Sequence, residues 1–127
     1  MDKMSKTLSV LVVDDNPPMV KTLADVLEAK GFEAYPAGSG AEALEILRDH
    51  PVDILLTDVI MSGMNGVALY REARKICPQI VPFLMTAYAA DDLIQAGLKE
   101  GIKTILNKPV DIDFLLILLS ATRRVSN

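Results

Sequence analysis

Short apolar stretches alternate with longer amphipathic stretches along this chain of 127 residues. Five stretches have the length and composition of strands, and three of them are apolar enough to be buried on both faces of a sheet. The predicted strands are Ser9–Val13, Phe32–Ala37, Val52–Thr57, Ile80–Thr86 and Lys103–Leu106. Pro82 counts against the fourth strand because proline cannot donate to a strand ladder, but its place near the start of the strand reduces the difficulty.

Apolar residues between these strands recur with the spacing of helices. The predicted helices are 17–30, 41–48 after the N-cap Ser39, about 67–76, 91–100, and a last one that begins at the cap Asp111 and runs to about Arg124. Five alternating strand–helix pairs predict an α/β fold, a doubly wound five-stranded parallel sheet with helices on both faces. The flavodoxin-like strand order 2-1-3-4-5 is the natural arrangement, and it places a ligand crevice at the carboxyl ends of the strands.

Composition limits the kinds of protein this chain can be. Half of the residues are hydrophobic, so the sequence predicts a single domain over 1–127, with a core of about 8–124 and short tails. No apolar run is long enough to span a membrane, and the N-terminus lacks a secretory signal, which together predict a cytoplasmic protein with no membrane partner. The formal charge of −4 argues against direct nucleic-acid binding.

Polar residues lie where the predicted strands end. Asp14 and Asp15 follow the first strand, Asp58 follows the third, Thr86 ends the fourth and Lys108 follows the fifth. Each has an ordinary interpretation by itself, since an aspartate after a strand is often a helix cap and such a lysine often faces solvent. In a parallel sheet, however, all five meet at the edge where the ligand crevice is expected.

Three neighbouring carboxylates repel one another unless a cation offsets their charge. Mg²⁺ is the expected ion, with Asp15, Asp58 and the backbone carbonyl of Ile60 as direct ligands and Asp14 acting partly through water. A lysine and a hydroxyl beside the metal suit an anion, and a carboxylate can attack phosphorus to form an aspartyl phosphate. We therefore expect Asp58 to be the nucleophile.

Five segments in order and at the expected spacing make the chain resemble the receiver domains of two-component response regulators. They are Val10–Asn16, Asp53–Asp58, Met61–Gly66, Thr86–Tyr88 and Lys108-Pro109. The resemblance covers about 8–124. It implies that Asp58 accepts a phosphoryl group from a histidine kinase or phosphotransfer protein in a Mg²⁺-dependent reaction, and that Asp14 and Asp15 match the metal-binding acidic pair. It also implies that Thr86 moves to bond the phosphoryl group, that Lys108 pairs with it, and that the Lys108-Pro109 peptide is cis.

The chain departs from the family pattern at two positions. Ser62 stands where the family usually has proline after Met61, which predicts a looser loop. Ile105 stands where an aromatic ring commonly turns inward during switching, so that step of the switch is in doubt, and we expect Ile105 to pack as a strand residue. Ile60 and Tyr88 occupy two positions that border the phosphoryl site in this family. Both side chains are bulky, and we expect them to slow hydrolysis of the phosphate.

The last helix carries apolar residues on two sides. Ile112, Leu115, Leu116 and Leu119 form a stripe suited to the sheet. A second stripe on the opposite side consists of Phe114, Ile117, Leu118 and Ala121. This second stripe predicts a homodimer or partner surface, in agreement with the family's frequent use of its fourth helix, fifth strand and fifth helix for docking. The alternative is that the chain's own tail covers it.

Three other functions remain as alternatives. A receiver-like interaction module would work without phosphorylation, although every residue of the phosphoryl site is present. An aspartate-nucleophile phosphatase would normally have an Asp-x-Asp pair after the first strand, whereas Asp14 and Asp15 are adjacent. A flavin-binding protein would have a Ser/Thr-rich phosphate loop there. We expect a switch that promotes its own phosphoryl transfer and dephosphorylation, and no turnover enzyme.

Overall fold

Ten elements alternate strictly between strand and helix in the computed structural model, which describes residues 7–87 and 91–125. The strands are β1 (Ser9–Val13), β2 (Glu33–Ala37), β3 (Ile54–Asp58), β4 (Val81–Thr86) and β5 (Thr104–Asn107). The helices are α1 (Pro17–Ala29), α2 (Gly40–Asp49), α3 (Gly66–Ile76), α4 (Asp91–Lys99) and α5 (Ile112–Val125). All predicted elements are present, and their ends lie within two residues of the predicted ones.

The strands form one parallel sheet in the order β2-β1-β3-β4-β5, which confirms the predicted doubly wound fold. Pro82 fits β4 because backbone donors alternate between the two sides of a strand. The Val81 N–H donates to Asp53 on the β3 side, so the position of the missing Pro82 N–H faces the other side. Pairing with β5 begins only at Phe83, which leaves the proline outside that ladder.

Two apolar layers enclose the sheet, one on each face. The layer beneath α1 and α5 is built on buried residues that include Val12, Leu27 and Leu119. The layer beneath α2 and α3 includes Leu11, Leu47 and Leu69. The central strands β1 and β3 are buried along their whole length, so their carboxyl ends are held rigidly from both sides.

The stripes predicted on α5 are only partly correct. Leu115 and Leu119 are fully buried against the sheet, whereas Phe114 and Ile117 are 50% and 64% exposed, as expected for an outer face. Leu118 instead packs against the core, and Ala121 is half-buried. The exposed apolar part of this face is therefore narrower than the sequence predicted. Across the described residues, no helix is long and apolar enough to cross a membrane.

Candidate functional site

The predicted acidic residues come together at the carboxyl edge of the sheet, from the loop after β1 and from the end of β3. Carboxylate oxygens of Asp14, Asp15 and Asp58 all lie within 4.8 Å of one another. Asp14 and Asp15 directly follow β1, and Asp58 is the last residue of the adjacent strand β3. Strand pairing therefore produces a cluster from residues that lie more than forty positions apart in the sequence.

The two acidic residues after β1 do not cap the following helix. Asn16 is the N-cap of α1, and its side-chain oxygen accepts a hydrogen bond from the Met19 N–H at 3.3 Å. The capping interpretation of Asp14 and Asp15 is therefore wrong. Asp14 is almost completely buried, and its Oδ1 accepts a hydrogen bond from the Asn16 N–H at 3.0 Å.

Lys108 lies between two of the three carboxylates. Its Nζ donates to Asp14 Oδ2 at 2.6 Å and to Asp58 Oδ2 at 3.0 Å. The lysine follows β5 directly, its backbone N–H donates to the Thr86 carbonyl, and the Lys108-Pro109 peptide is cis, as the resemblance implied. Its side chain is only 17% exposed, so solvent screens these contacts weakly.

Burial and charge shift the pKa values of this pair. Burial is the largest influence on Asp58 and raises its pKa, the charge of Asp14 raises it further, and the hydrogen bond from Lys108 acts in the opposite direction. Burial lowers the pKa of Lys108, but hydrogen bonds and charges from Asp14 and Asp58 outweigh it and raise that pKa above its usual value. The ammonium thus stays charged, while the carboxylate of Asp58 is electrostatically costly.

The donor set suits a hard divalent cation. Three carboxylates and one ammonium leave a formal charge of −2 in a small volume. Oxygen ligands with room for water are the environment that Mg²⁺ prefers. Asp14, Asp15 and Asp58 are the residues that would hold such an ion, and the predicted contribution of the Ile60 carbonyl remains a prediction.

The remaining predicted residues border this cluster or fall outside the described part. Thr86 ends β4 beside the site and is buried. Ile60, two residues after Asp58, is 48% exposed. Ile105 packs against the small cluster of Val59, Val67, Leu84 and Ile102, as expected of a strand residue. Tyr88 lies outside the described residues.

Gly66 belongs to the site although the sequence analysis assigned it no role. A Cβ atom at this position would lie 2.2 Å from the Asp58 carbonyl oxygen. The Gly66 N–H also donates to the Val59 carbonyl at 2.8 Å. The first turn of α3 therefore lies in direct contact with the backbone of Asp58. The only sequence signal for this contact is a glycine directly after the cap Asn65.

Comparison with known proteins decides the family. A family model described as the response regulator receiver domain matches residues 10–120. The chain belongs to this family. Receiver domains are phosphoacceptor signalling domains that bind Mg²⁺ at an acidic pocket and work with histidine kinases, phosphotransfer proteins and output domains.

Curated and solved relatives agree with this assignment. A response regulator receiver protein from Anaeromyxobacter is 41% identical over 106 residues, which are 84% of this chain and 44% of that protein. The transcriptional regulatory protein GlrR of Escherichia coli is 34% identical over 87% of this chain and 25% of its own length. A receiver domain from Clostridium thermocellum superposes with a TM-score of 0.85 at 28% identity, over 94% of this chain and 96% of that one. This receiver domain thus spans less than half of each of these two curated relatives.

Proposed function

We propose that this receiver domain accepts a phosphoryl group on Asp58 from the phosphohistidine of a histidine kinase or phosphotransfer protein. The observation that carries the proposal is the placement of Lys108 Nζ within hydrogen-bond distance of both Asp14 and Asp58. A carboxylate in this setting is held in a fixed position beside a positively charged ammonium group. Phosphoryl transfer depends mainly on such positioning and charge compensation.

The reaction is an exchange of one bond to phosphorus for another. A carboxylate oxygen of Asp58 attacks the phosphorus, the bond from phosphorus to the histidine nitrogen breaks, and its electron pair remains on the imidazole. Asp14, Asp15 and Asp58 would hold Mg²⁺, whose chemistry here is to neutralise phosphoryl and carboxylate charge. Lys108 neutralises a phosphoryl oxygen from its position between two carboxylates, and the Thr86 hydroxyl moves to donate to another.

The output of the switch lies on the surface of α4, β5 and α5. Phosphorylation adds about −1.5 to −2 charges at the carboxyl edge of the sheet. Lys108 follows β5 and Thr86 ends β4, so movement of these two residues reaches the face that carries the exposed side chains of Phe114 and Ile117. We propose that this face binds a second copy or an output partner more tightly in the phosphorylated arrangement.

Intact-mass spectrometry tests the reaction. The chain is incubated with Mg²⁺ and acetyl phosphate, and we expect an adduct of about 80 Da. The adduct should be absent from Asp58→Ala and from wild type in excess chelator, and present in Asp25→Ala, which removes an exposed aspartate of α1. An unmodified wild type would favour the interaction module that works without phosphorylation, whereas continuous turnover of a small phosphoester would favour the phosphatase.

A further inference from the structure

Each of the three acidic side chains has a backbone N–H as a hydrogen-bond partner. The Asn16 N–H donates to Asp14, and the Ile60 N–H donates to Asp58. The Ser62 N–H donates to Asp15 Oδ2 at 3.1 Å. The first two donors lie within two residues of their acceptors. The Ser62 donor lies 47 positions away in sequence, so this hydrogen bond joins the β1–α1 loop to the β3–α3 loop.

The Ser62 donor is held in place from both ends of its loop. Met61, immediately before it, is buried in the apolar layer beneath α2 and α3. Asn65, three residues later, caps α3 by accepting a hydrogen bond from the Ala68 N–H at 2.8 Å. The residues on either side of the Ser62 amide are thus anchored, Met61 by burial and Asn65 by the cap of α3.

The orientation of the Asp15 carboxylate depends on its hydrogen bond from Ser62 more than Asp14 and Asp58 depend on their backbone hydrogen bonds. Asp14 and Asp58 are buried and share Lys108, whereas Asp15 is exposed. Packing therefore does not restrict the Asp15 side chain, and its rotamer freedom would be lost when it bound an ion. A hydrogen bond to one carboxylate oxygen fixes the orientation and leaves the other oxygen available.

We propose that the backbone N–H of Ser62 is a positioning group for Mg²⁺ binding by Asp15. Proline, the family's usual residue here, has no N–H and cannot perform this role. The replacement of proline therefore adds a chemical group to the site of this chain. This inference rests on the proposed function, because it concerns the ion that the phosphoryl transfer requires.

Three variants distinguish the effect of the Ser62 amide on Mg²⁺ binding from the effects of the Ser62 side chain and of a change in the loop. Ser62→Pro removes the N–H, Ser62→Ala keeps the N–H and removes only the hydroxyl, and Asp15→Ala removes the acceptor. Mg²⁺ affinity is measured by titrating the ¹⁵N-labelled full chain and following amide chemical shifts, after circular dichroism has verified that each variant is folded. We expect Ser62→Ala to bind like wild type and Ser62→Pro to bind about three- to tenfold more weakly.

The acceptor variant supplies the readout that a purely structural role would not change. In the Asp15→Ala background, Ser62→Pro and Ser62→Ala should have equal Mg²⁺ affinity, and Asp15→Ala alone should shift the Ser62 amide resonance. Equal affinity of Ser62→Pro and wild type, tighter binding by Ser62→Pro, or the same proline effect without Asp15 would each overturn the inference and leave the proposed function intact. Absence of Mg²⁺ binding by wild type would overturn both.

Discussion

At the scale of single residues, the candidate site is a compromise between function and stability. Asp58 is buried beside Asp14, so its charged form is disfavoured by the fold even with Lys108 in contact. A carboxyl group must nevertheless be ionised to accept a phosphoryl group. The site thus holds a charge whose burial is costly, and a bound cation would offset that cost.

Asp58→Asn should stabilise the metal-free protein at pH 7. Because burial raises the pKa of Asp58, the stability associated with this group is present below its ordinary pKa of 3.8 and is lost as the pH rises through the higher folded value. We expect a gain in the free energy of unfolding at pH 7, which disappears as the pH falls toward 4. Urea unfolding in the presence of a chelator measures this gain in the free energy of unfolding.

Asp53→Asn provides the matched control for this substitution. Asp53 lies at the opposite end of the sheet, where its Oδ2 accepts hydrogen bonds from the Ser9 N–H and hydroxyl. Neutralising it weakens these bonds, so this variant should lose stability. Added Mg²⁺ should stabilise wild type more than Asp58→Asn, and an Asp58→Asn variant less stable than wild type in chelator would contradict the prediction.

Gly66→Ala should destabilise the protein and misplace the nucleophile. The added methyl group would overlap the Asp58 carbonyl oxygen, and backbone at that contact cannot move as a flexible side chain can. The expected loss is about 1–3 kcal/mol in urea unfolding, with reduced phosphorylation by acetyl phosphate. In Gly38→Ala the new methyl group meets only Glu42 Oε1 at 3.5 Å, so its stability should stay close to that of wild type.

Ile60→Asn should shorten the lifetime of the phosphorylated state. Ile60 lies two residues after Asp58 and is 48% exposed, and we expect its apolar side chain to hinder the approach of water to phosphorus. We expect several-fold faster loss of the adduct in a mass-spectrometric time course. Ile76→Asn changes an exposed isoleucine at the end of α3 and should leave the rate unchanged; an unchanged or slower rate in Ile60→Asn would refute the hypothesis.

At the scale of elements, an ion-pair cluster ties the end of α4 to α3. Arg71 Nε donates to Glu100 Oε2 at 3.1 Å, and Arg74 donates to both Glu100 Oε1 and the Glu100 carbonyl. The Arg74 guanidinium also lies 5.2 Å from the centre of the Tyr70 ring. Because Glu100 follows the last residue of α4, the cluster holds the carboxyl end of a helix whose amino end follows Thr86 closely.

Glu100→Gln should reduce stability at neutral pH and have no effect at low pH. Hydrogen bonding from Arg71 is the largest influence on Glu100 and lowers its pKa, with the charges of Arg71 and Arg74 acting in the same direction. Its contribution is therefore present above the ordinary value of 4.5 and is lost as the pH falls through the lower folded value. Thermal unfolding at pH 7 and pH 3 measures the difference.

Glu72, a glutamate within α3, provides the comparison for Glu100. Glu72 pairs with Lys75 at 3.2 Å in an exposed contact within one helix, which contributes little to stability. Glu72→Gln should therefore lower the melting temperature less than Glu100→Gln. Equal effects of the two variants at pH 7 would show that the α3–α4 cluster contributes no more than a surface pair.

At the scale of the whole molecule, Phe114 and Ile117 place two large, exposed apolar side chains on the outer face of α5. Ile117→Lys should abolish self-association of the phosphorylated form, because a charged side chain is costly to bury in an apolar contact. Sedimentation velocity with and without beryllofluoride measures this. Ile76→Lys on α3 should associate like wild type, and a monomeric wild type under both conditions would exclude the homodimer.

The sequence alone determined the strand–helix order and the identity of the residues at the carboxyl edge. Period-two and period-3.6 patterns are local properties, so they predicted every element from Ser9 to the end of α5. A parallel sheet then brings strand ends together whatever the details of its loops, which is why Asp14, Asp58 and Lys108 could be assigned to one crevice. The family motifs in those loops supplied the expected roles.

Only the tertiary structure decided which atoms meet. Lys108 contacts Asp14 from 94 positions away, and Ser62 contacts Asp15 from 47 positions away. These pairings depend on strand register and loop shape, which no local periodicity encodes. The same reason explains why Leu118 turns inward and why α3 can approach Asp58 only through Gly66. Long-range packing selects one contact among several that local sequence allows equally well.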